Sequence, residues 1–402
     1  MMGLLPVEEA KRRILEGVEP TETEEVPLME AAGRILAEDV RANRDQPPFD
    51  ASSMDGYAVR AEDIEGVPAI LKVVGEAPAG HALDVEIGPG EAARIFTGGP
   101  VPKGADCVVM QENTGRIGNE VTIFQSAPKG NFIRPRGMDF RNGEVLLKPG
   151  TRLGARQINL AASMNRPNLK VRRKPVVAIL ATGDELVLPG ETPREDQIIA
   201  SNSYGLAAFV KAHGGEPLDL GLAPDDREAI AQAIDRGREA DVLVTIGGAS
   251  VGDHDHVKDA FESLGVTLDF WKIAMRPGKP LIFARRGRQR ILGLPGNPVS
   301  SLVCSLVFLR PLIAALLGTS GMHRTVSARL GSDLPENDER QDHLRCRLER
   351  DAETGDLVAL PWSRQDSAML RVFVEADGLI VRPPHAPAAR EGDRVDVILL
   401  DF

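Results

Sequence analysis

Apolar positions along the 402 residues follow three different rhythms. The apolar run at Val242–Ile246 reads as a strand buried on both faces, with Val176–Leu180, Leu218–Gly221, Leu281–Ala284 and Ile291–Leu294 as further strands. Between them Ser203–His213, Arg227–Ala240 and Val257–Leu264 repeat apolar residues at helical spacing. This alternation predicts a central three-layer α/β domain with a mainly parallel sheet over residues 173–322. From Asp45 to about Gly150 short β-rich runs (Ala69–Val74, Ala93–Phe96, Cys107–Gln111, Val121–Phe124, Glu144–Leu147) alternate with Gly/Pro turns, the mark of an inserted β module over residues 45–139. Before it, Val7, Ala10, Ile14 and Val18 recur at helical spacing behind Pro6, and Leu28 to Leu36 forms a second helical pattern. Neither has a core of its own, so both are expected to pack on Leu153–Met164 as a helical stalk of residues 1–44 and 140–172. Lys170–Lys174 and Pro175 mark the next boundary. Residues 323–402 return to short strands ending in Arg394–Leu400, a small barrel or sandwich of open topology. The fold class is multidomain, α/β plus β.

Composition narrows the function classes. A net charge of −11 argues against a nucleic-acid or anionic-membrane surface while leaving room for a local basic pocket. Cys107, Cys304 and Cys346 are widely spaced and odd in number, which excludes a standard zinc knuckle and fits a reducing, cytoplasmic setting. The amino terminus lacks the regions of a signal peptide. The longest apolar helix pattern, Val299 to Leu317, is interrupted by Arg310-Pro311 and several serines, so it reads as a core helix and not a membrane span.

Candidate chemistry gathers where strands stop at glycine. Ile246-Gly247-Gly248-Ala-Ser250-Val-Gly252-Asp-His-Asp255 joins a buried strand to a helix, placing backbone N–H groups outside the carboxyl end of a sheet, where anionic ligands bind. An ordinary tight turn with Asp255 as helix cap is the competing reading. Leu180-Ala-Thr-Gly183-Asp184-Glu185 repeats the arrangement. Asp225-Asp-Arg-Glu228 fits a capping box, so capping competes with a ligand role for Asp225. Carboxylates at neighbouring strand ends suit a hydrated Mg²⁺, which prefers oxygen ligands; His254 and His256 rank lower as transition-metal ligands.

Positive charge enters at Lys272, Arg276 and Lys279 around a Pro-Gly turn, suiting a phosphate or oxyanion, with a charged hairpin as the alternative. Gly293-Leu-Pro295-Gly-Asn297-Pro298 forms a rigid turn before a helix. In the β module, Pro48-Phe-Asp50-Ala-Ser-Ser-Met-Asp55-Gly-Tyr is either an Asx-turn using Asp50 and Asp55 locally or a ligand loop. Thr97 in Thr97-Gly-Gly-Pro100 offers a hydroxyl to a ligand or to its own turn. Arg134, Arg136, Asp139 and Arg141 read alone as a solvated face.

Taken in order, Pro-Phe-Asp-x-Ser-x-Met-Asp-Gly-Tyr-Ala, Thr-Gly-x-Pro, Thr-Gly-Asp-Glu-Leu, Gly-Gly-x-Ser-x-Gly-x-x-Asp, Pro-Gly-Lys-Pro and Gly-Leu-Pro-Gly-Asn-Pro resemble the molybdopterin molybdenumtransferase family, which includes MoeA and the gephyrin E domain. The resemblance spans nearly the whole chain. It implies an elongated four-domain homodimer with a cleft between the α/β domain of one subunit and the β module of the other. The implied activity is Mg²⁺-assisted insertion of molybdate into adenylylated molybdopterin with release of AMP, with a molybdopterin adenylyltransferase as an implied partner. Glu185, Asp225 and Asp255 would then serve nucleotide and metal, Lys272, Arg276 and Lys279 molybdate or phosphate, and Asp55 and Thr97 would reach in from the partner subunit. Gly183, Asp184, Gly247, Gly248, Ser250, Gly252, Pro295, Asn297 and Pro298, with Asp139 and Ser367, would contact the pterin nucleotide.

Departures from the family pattern are Arg276 in place of a lysine and Ala181 in place of a serine. The match around Ser363–Ser367 is loose. A non-catalytic assembly protein on the same fold and a tungstate-specific insertase are the competing functions; molybdate and tungstate, both tetrahedral dianions, are not separable by sequence.

Overall fold

The computed structural model describes residues 4–248, 256–321 and 323–402, which sort into two units, Met1–Glu24 with Arg172–Phe402, and Glu25–Val171. Pro6 opens the first helix, α1 (Val7–Leu15), with Glu8 and Glu9 in its first turn and Arg12 and Arg13 in its last, each complementing the helix dipole. Its buried face is Val7, Ala10 and Ile14. The expectation that this helix packs on Leu153–Met164 is corrected: α1 belongs to the unit that carries the α/β domain. There Leu5 bridges Ile273, and Arg285 and Arg290 donate to the carbonyls of Arg13 and Glu16.

In the unit Glu25–Val171, six strands form one sheet in the order Cys107–Met110, Gly56–Val59, Glu91–Ile95, Ala69–Ala77, Glu120–Ile123, Thr114–Ile117. Its core holds Tyr57, Val59, Ile64, Leu71, Cys107, Val109 and Ile123. Gly56 is required here, because a Cβ would lie 1.9 Å from the Val109 carbonyl oxygen of the neighbouring strand. A second core joins α2 (Ala155–Ser163) to Ala31, Leu36, Phe140, Leu153 and Met164. The strand Val145–Leu147 pairs with Val40–Arg41 and lies outside the six-stranded sheet.

The helix expected from Leu28 to Leu36 is also corrected. Only a 3₁₀ turn, Leu28–Glu30, forms before Gly33 takes φ +76°. Beyond it, Leu36 and Ala37 donate to the carbonyls of Thr151 and Lys170, so the chain is extended and its apolar residues are buried by distant partners.

The α/β domain is built on β1 (Val176–Thr182), β2 (Glu216–Ala223), β3 (Val242–Ile246), β4 (Thr267–Lys272), β5 (Pro280–Arg286) and β6 (Gln289–Leu294), in the order β2-β1-β3-β6-β5-β4. The first four run parallel; β5 and β4 complete the edge antiparallel. Ala178 and Leu180 of β1 pack against α4 (Arg227–Arg236) and α5 (His256–Ser263), while α3 (Asn202–Ala212) contacts β1 and β2 and packs with α6 (Pro298–Cys304), giving three layers. A π turn, Ser305–Leu309, joins α6 to α7 (Arg310–Leu316) immediately before Pro311. Proline cannot donate to the helical ladder, and a wide turn accommodates that break. The whole helix, Pro298–Leu316, is long and apolar enough to cross a membrane, yet 78% of its most apolar window is buried inside the protein, as the core-helix reading expects.

The last domain answers the open topology. Strands Gln341–Arg350, Leu357–Pro361, Thr325–Leu330, Arg394–Leu399 and Gly378–Arg382 pair in succession, and the last returns to the first, closing a five-stranded barrel. A sixth short strand, Met275–Arg276, is added by the α/β domain.

Candidate functional site

Parallel register brings the ends of β1, β3 and β6 level, with Ala181 beside Ile246 and Ile246 beside Leu294. Outside these ends lies a pocket of about 530 Å³, lined among others by Thr182, Glu185, Asn202, Ser203, Gly247, Gly248, Pro295, Asn297 and Pro298. Gly247 and Gly248 have φ +92° and +63°. A Cβ on Gly247 would lie 2.6 Å from the Thr182 carbonyl oxygen, and one on Gly248 2.3 Å from Val257 Cγ2. Only glycine lets the chain turn this tightly beneath the pocket. Two buried hydroxyls at its lining, Thr182 Oγ1 and Ser203 Oγ, have no hydrogen-bond partner among the described residues, the condition in which a polar ligand gains most.

The acidic residues fall into distinct roles. Helix α4 is capped by Asp226, which accepts from Ala229 N at 2.9 Å. The capping expected of Asp225 is thus carried by its neighbour. Asp225 N instead donates to Asp184 Oδ1 at 3.1 Å, tying together the loops that follow β1 and β2. Glu185 reaches the pocket with its carboxylate folded over Gly183, whose φ is +146°. Neither Asp184 nor Glu185 forms an ion pair among the described residues. No group of three His, Cys, Asp or Glu side chains is arranged to hold a metal among the described residues. Asp255, Ser250, Gly252 and His254 lie outside them, as does the side chain of His256.

The three cations of residues 272–279 separate. Lys272 lies 5.6 Å from the Trp271 ring centroid and Lys279 is exposed; neither has a carboxylate partner among the described residues. Arg276 is held by Asp338 and by Asp342 at 3.4 Å, both in the barrel. Two carboxylates already engage its guanidinium and compete with the oxyanion role expected of it. Gly278 makes the turn possible, since a Cβ there would lie 2.5 Å from Cys304 Sγ.

The loop Pro295–Pro298 is clamped from two sides. Asn202 Nδ2 donates to Gly296 O at 2.6 Å. Asn297 Nδ2 donates to Ser367 Oγ at 2.9 Å, and Val299 N to Ser367 O at 3.1 Å. Ser367, the loosest of the sequence candidates, is therefore a barrel residue attached to the pocket loop. Asn202 and Ser203 were not among the candidates; their only signal was a polar Ser-Asn-Ser at the start of α3, with no glycine turn beside it.

In the unit Glu25–Val171, Asp55 Oδ1 accepts from Thr97 N at 2.7 Å and Thr97 Oγ1 at 2.9 Å. These bonds, with Arg94 nearby, hold the Asp55 carboxyl below the ordinary value of 3.8. Arg94 stacks over Tyr57 and Phe96, at 5.3 and 4.8 Å from their centroids, and donates to Gly56 O. Asp50 accepts from Arg136 N at 2.8 Å and Asp45 from the Arg136 side chain. Neither Asp50 nor Asp55 is the local Asx-turn acceptor that the sequence allowed. Exposed Asp139 is positioned by its backbone, donating from N to Gln46 O.

All three thiols are buried, and desolvation pushes Cys107 and Cys346 up to about 12 and Cys304 higher still. They are poor nucleophiles at neutral pH.

Three family models match in succession: the MoeA N-terminal region (domain I and II) over residues 5–165, a probable molybdopterin binding domain over 178–315, and the MoeA C-terminal region (domain IV) over 327–400. Molybdopterin molybdenumtransferase from Nostoc sp. is 43% identical over 305 residues, 74% of this chain and 70% of its own length. Molybdopterin molybdenumtransferase 2 from Mycobacterium tuberculosis is 35% identical over 402 residues, 97% of this chain and 98% of its own. Among solved structures, a molybdopterin biosynthesis MoeA protein from Pyrococcus horikoshii superposes with a TM-score of 0.87 at 34% identity, covering 100% of both chains.

Proposed function

The chain belongs to the MoeA family, and from that premise we propose that it is a molybdopterin molybdenumtransferase, inserting molybdate into adenylylated molybdopterin with release of AMP. The observation that carries the reading is the pocket at the ends of β1, β3 and β6, with the carboxylate of Glu185, which has no ion pair among the described residues, at its lining. Substrate and cargo are both anionic, so the reaction needs charge compensation and alignment and not a covalent nucleophile. Lys279, next to Pro280 of the lining, and Lys272, paired with Pro280 across the strands, would supply cations to the pocket. The Pro295–Pro298 loop shapes the wall, with Asn202 and Ser367 fixing it.

Carboxylates, the donor type present at these strand ends, are what Mg²⁺ prefers, since it takes one or two of them, keeps waters and lets substrate phosphates complete its shell. Glu185, Asp225 and Asp255 would hold it. When bound, Mg²⁺ would neutralise charge on the phosphate that leaves with AMP. Asp55 and Thr97 would complete the site from a second copy of the chain, making the working form a homodimer. A cytoplasmic enzyme receiving its substrate from a molybdopterin adenylyltransferase fits this chemistry.

The test is AMP release from adenylylated molybdopterin with Mg²⁺, with and without micromolar molybdate and with tungstate in parallel. Molybdate-independent release would exclude insertion as the coupled step. Mixing the Asp55→Asn and Glu185→Gln proteins tests the shared site. Each is expected to be slow alone, and the mixture to regain activity through hybrid dimers carrying one intact site.

A further inference from the structure

A second pocket, of about 400 Å³, opens at the opposite ends of the strands, where Asp241 leads into β3 and Gln289-Arg290 begins β6. Its wall carries five arginines, and most are already matched. Arg173 holds Glu22 and Asp241, each at 2.9 Å. Arg288 holds Glu19 at 2.9 Å, and Arg238 holds Glu239 at 3.2 Å. Arg286 and Arg290 remain.

Arg290 is 5% exposed and has no carboxylate partner among the described residues. Its Nη1 and Nη2 donate to the carbonyls of Arg288 and Glu16, and its Nε has no partner among the described residues. Arg286 Nε donates to Gln289 Oε1, its nearest carboxylate is the half-exposed Asp235 at 3.7 Å, and its Nη2 is buried without a partner. Burial lowers the pKa of both guanidiniums, and the proximity of Arg285 lowers that of Arg290 further. A buried guanidinium, Arg290, and a partly buried one, Arg286, each with an unused donor beside an open cavity, are costly unless an anion enters.

We propose that this pocket is a binding site for a small phosphate-bearing anion, held by Arg286 and Arg290. Guanidinium forks match phosphoryl oxygens in shape as well as charge. The cavity falls in the range of roughly 300–1,000 Å³ typical of small-ligand sites, so it accommodates a phosphorylated metabolite and not only a bare ion. Its position at the amino ends of β3 and β6 separates it from the pocket containing Glu185. The site does not depend on the activity proposed above.

Titration calorimetry with inorganic pyrophosphate at fixed ionic strength tests it, with AMP as a second arm to ask whether a nucleotide phosphate is accepted. Saturable pyrophosphate binding is expected, retained in Lys279→Gln, weakened at least tenfold in Arg286→Gln and less in Arg286→Lys. If Arg286→Gln does not fold, a wild-type crystal soaked in pyrophosphate serves instead, with density expected beside Arg286 and Arg290. No binding at millimolar concentration, binding lost in Lys279→Gln and kept in Arg286→Gln, or density confined to the Glu185 pocket would each overturn the assignment.

Discussion

Thr97 gives both its backbone N–H and its hydroxyl to one carboxylate oxygen of Asp55, although 42 positions separate them. The pairing joins the Met-Asp-Gly-Tyr loop to the Thr-Gly-Gly-Pro turn and orients Asp55 through its neighbour. Because the bonds favour the ionised form, Asp55 contributes stability above pH 3.8 that is lost as pH falls through its lowered native value. Asp55→Asn is therefore expected to lower the melting temperature slightly at pH 7, a deficit that disappears in acid, while slowing AMP release at least tenfold. Thr97→Val should follow it in the rate assay. Wild-type turnover from either variant would reduce the pair to a loop fastener.

Arg276 and Lys279 should behave oppositely. Lys279→Met is expected to lower turnover without moving the melting curve. Arg276→Ala instead leaves Asp342, 10% exposed at its side chain, without its cation, and should cost roughly 1–2 kcal/mol, discounted from a buried pair because Arg276 is 41% exposed. Burial raises the Asp342 pKa above 3.8 and Arg276 opposes that rise. The penalty in Arg276→Ala should therefore grow as pH rises from about 4 towards neutrality, as urea unfolding at several pH values will show.

His343 is 2% exposed, and burial lowers it from 6.5 to about 4, with Lys11 and His323 adding to the effect. A histidine kept neutral contributes stability above pH 6.5 that is lost as pH falls through about 4. Substituting His343→Leu should remove up to about 3 kcal/mol of acid sensitivity between pH 6.5 and about 4, at about 1.36 kcal/mol per pH unit. Equal pH slopes for the two proteins would refute it.

Gly247→Ala should be severe. The left-handed φ alone costs about 1–3 kcal/mol, and the approach of Cβ to the Thr182 carbonyl adds to it. Ser367→Ala removes one partly exposed hydrogen bond to Asn297 and should cost under about 1 kcal/mol. Its mark is expected in KM, because the Pro295–Pro298 loop loses its side-chain tie to the barrel and keeps only the backbone bond from Val299. A change confined to kcat would contradict that role.

Much of this architecture is legible without coordinates, for a physical reason. Strands such as Val242–Ile246 are buried on both faces, so their apolar runs are uninterrupted and the glycines after them mark the ligand end of the sheet. Edge strand β4 escapes notice because Thr267, Leu268 and Asp269 are all exposed. Leu28–Leu36 has a helix-like apolar spacing, but its partners, Thr151 and Lys170, lie more than a hundred positions away. Arg276 shows the same limit. Its charge is visible in the sequence, while the carboxylates that claim it belong to a barrel no local pattern connects to it. Thr182 and Ser203 are invisible as site groups because an unpaired hydroxyl is a property of surroundings.

The π turn at Ser305–Leu309 sets the phase of a 19-residue rod. Its first residue, Pro298, borders the Glu185 pocket, and near its end the Leu316 carbonyl accepts from Thr21 N and Thr21 Oγ1 beside the arginine pocket. Excising one residue from that wide turn would swing the terminal segment by roughly 100° about the axis, as each residue of an α-helix turns through that angle. Leu316 would face away from Thr21, and the rim of one cavity would be dislodged by an edit made midway along the rod that links it to the other.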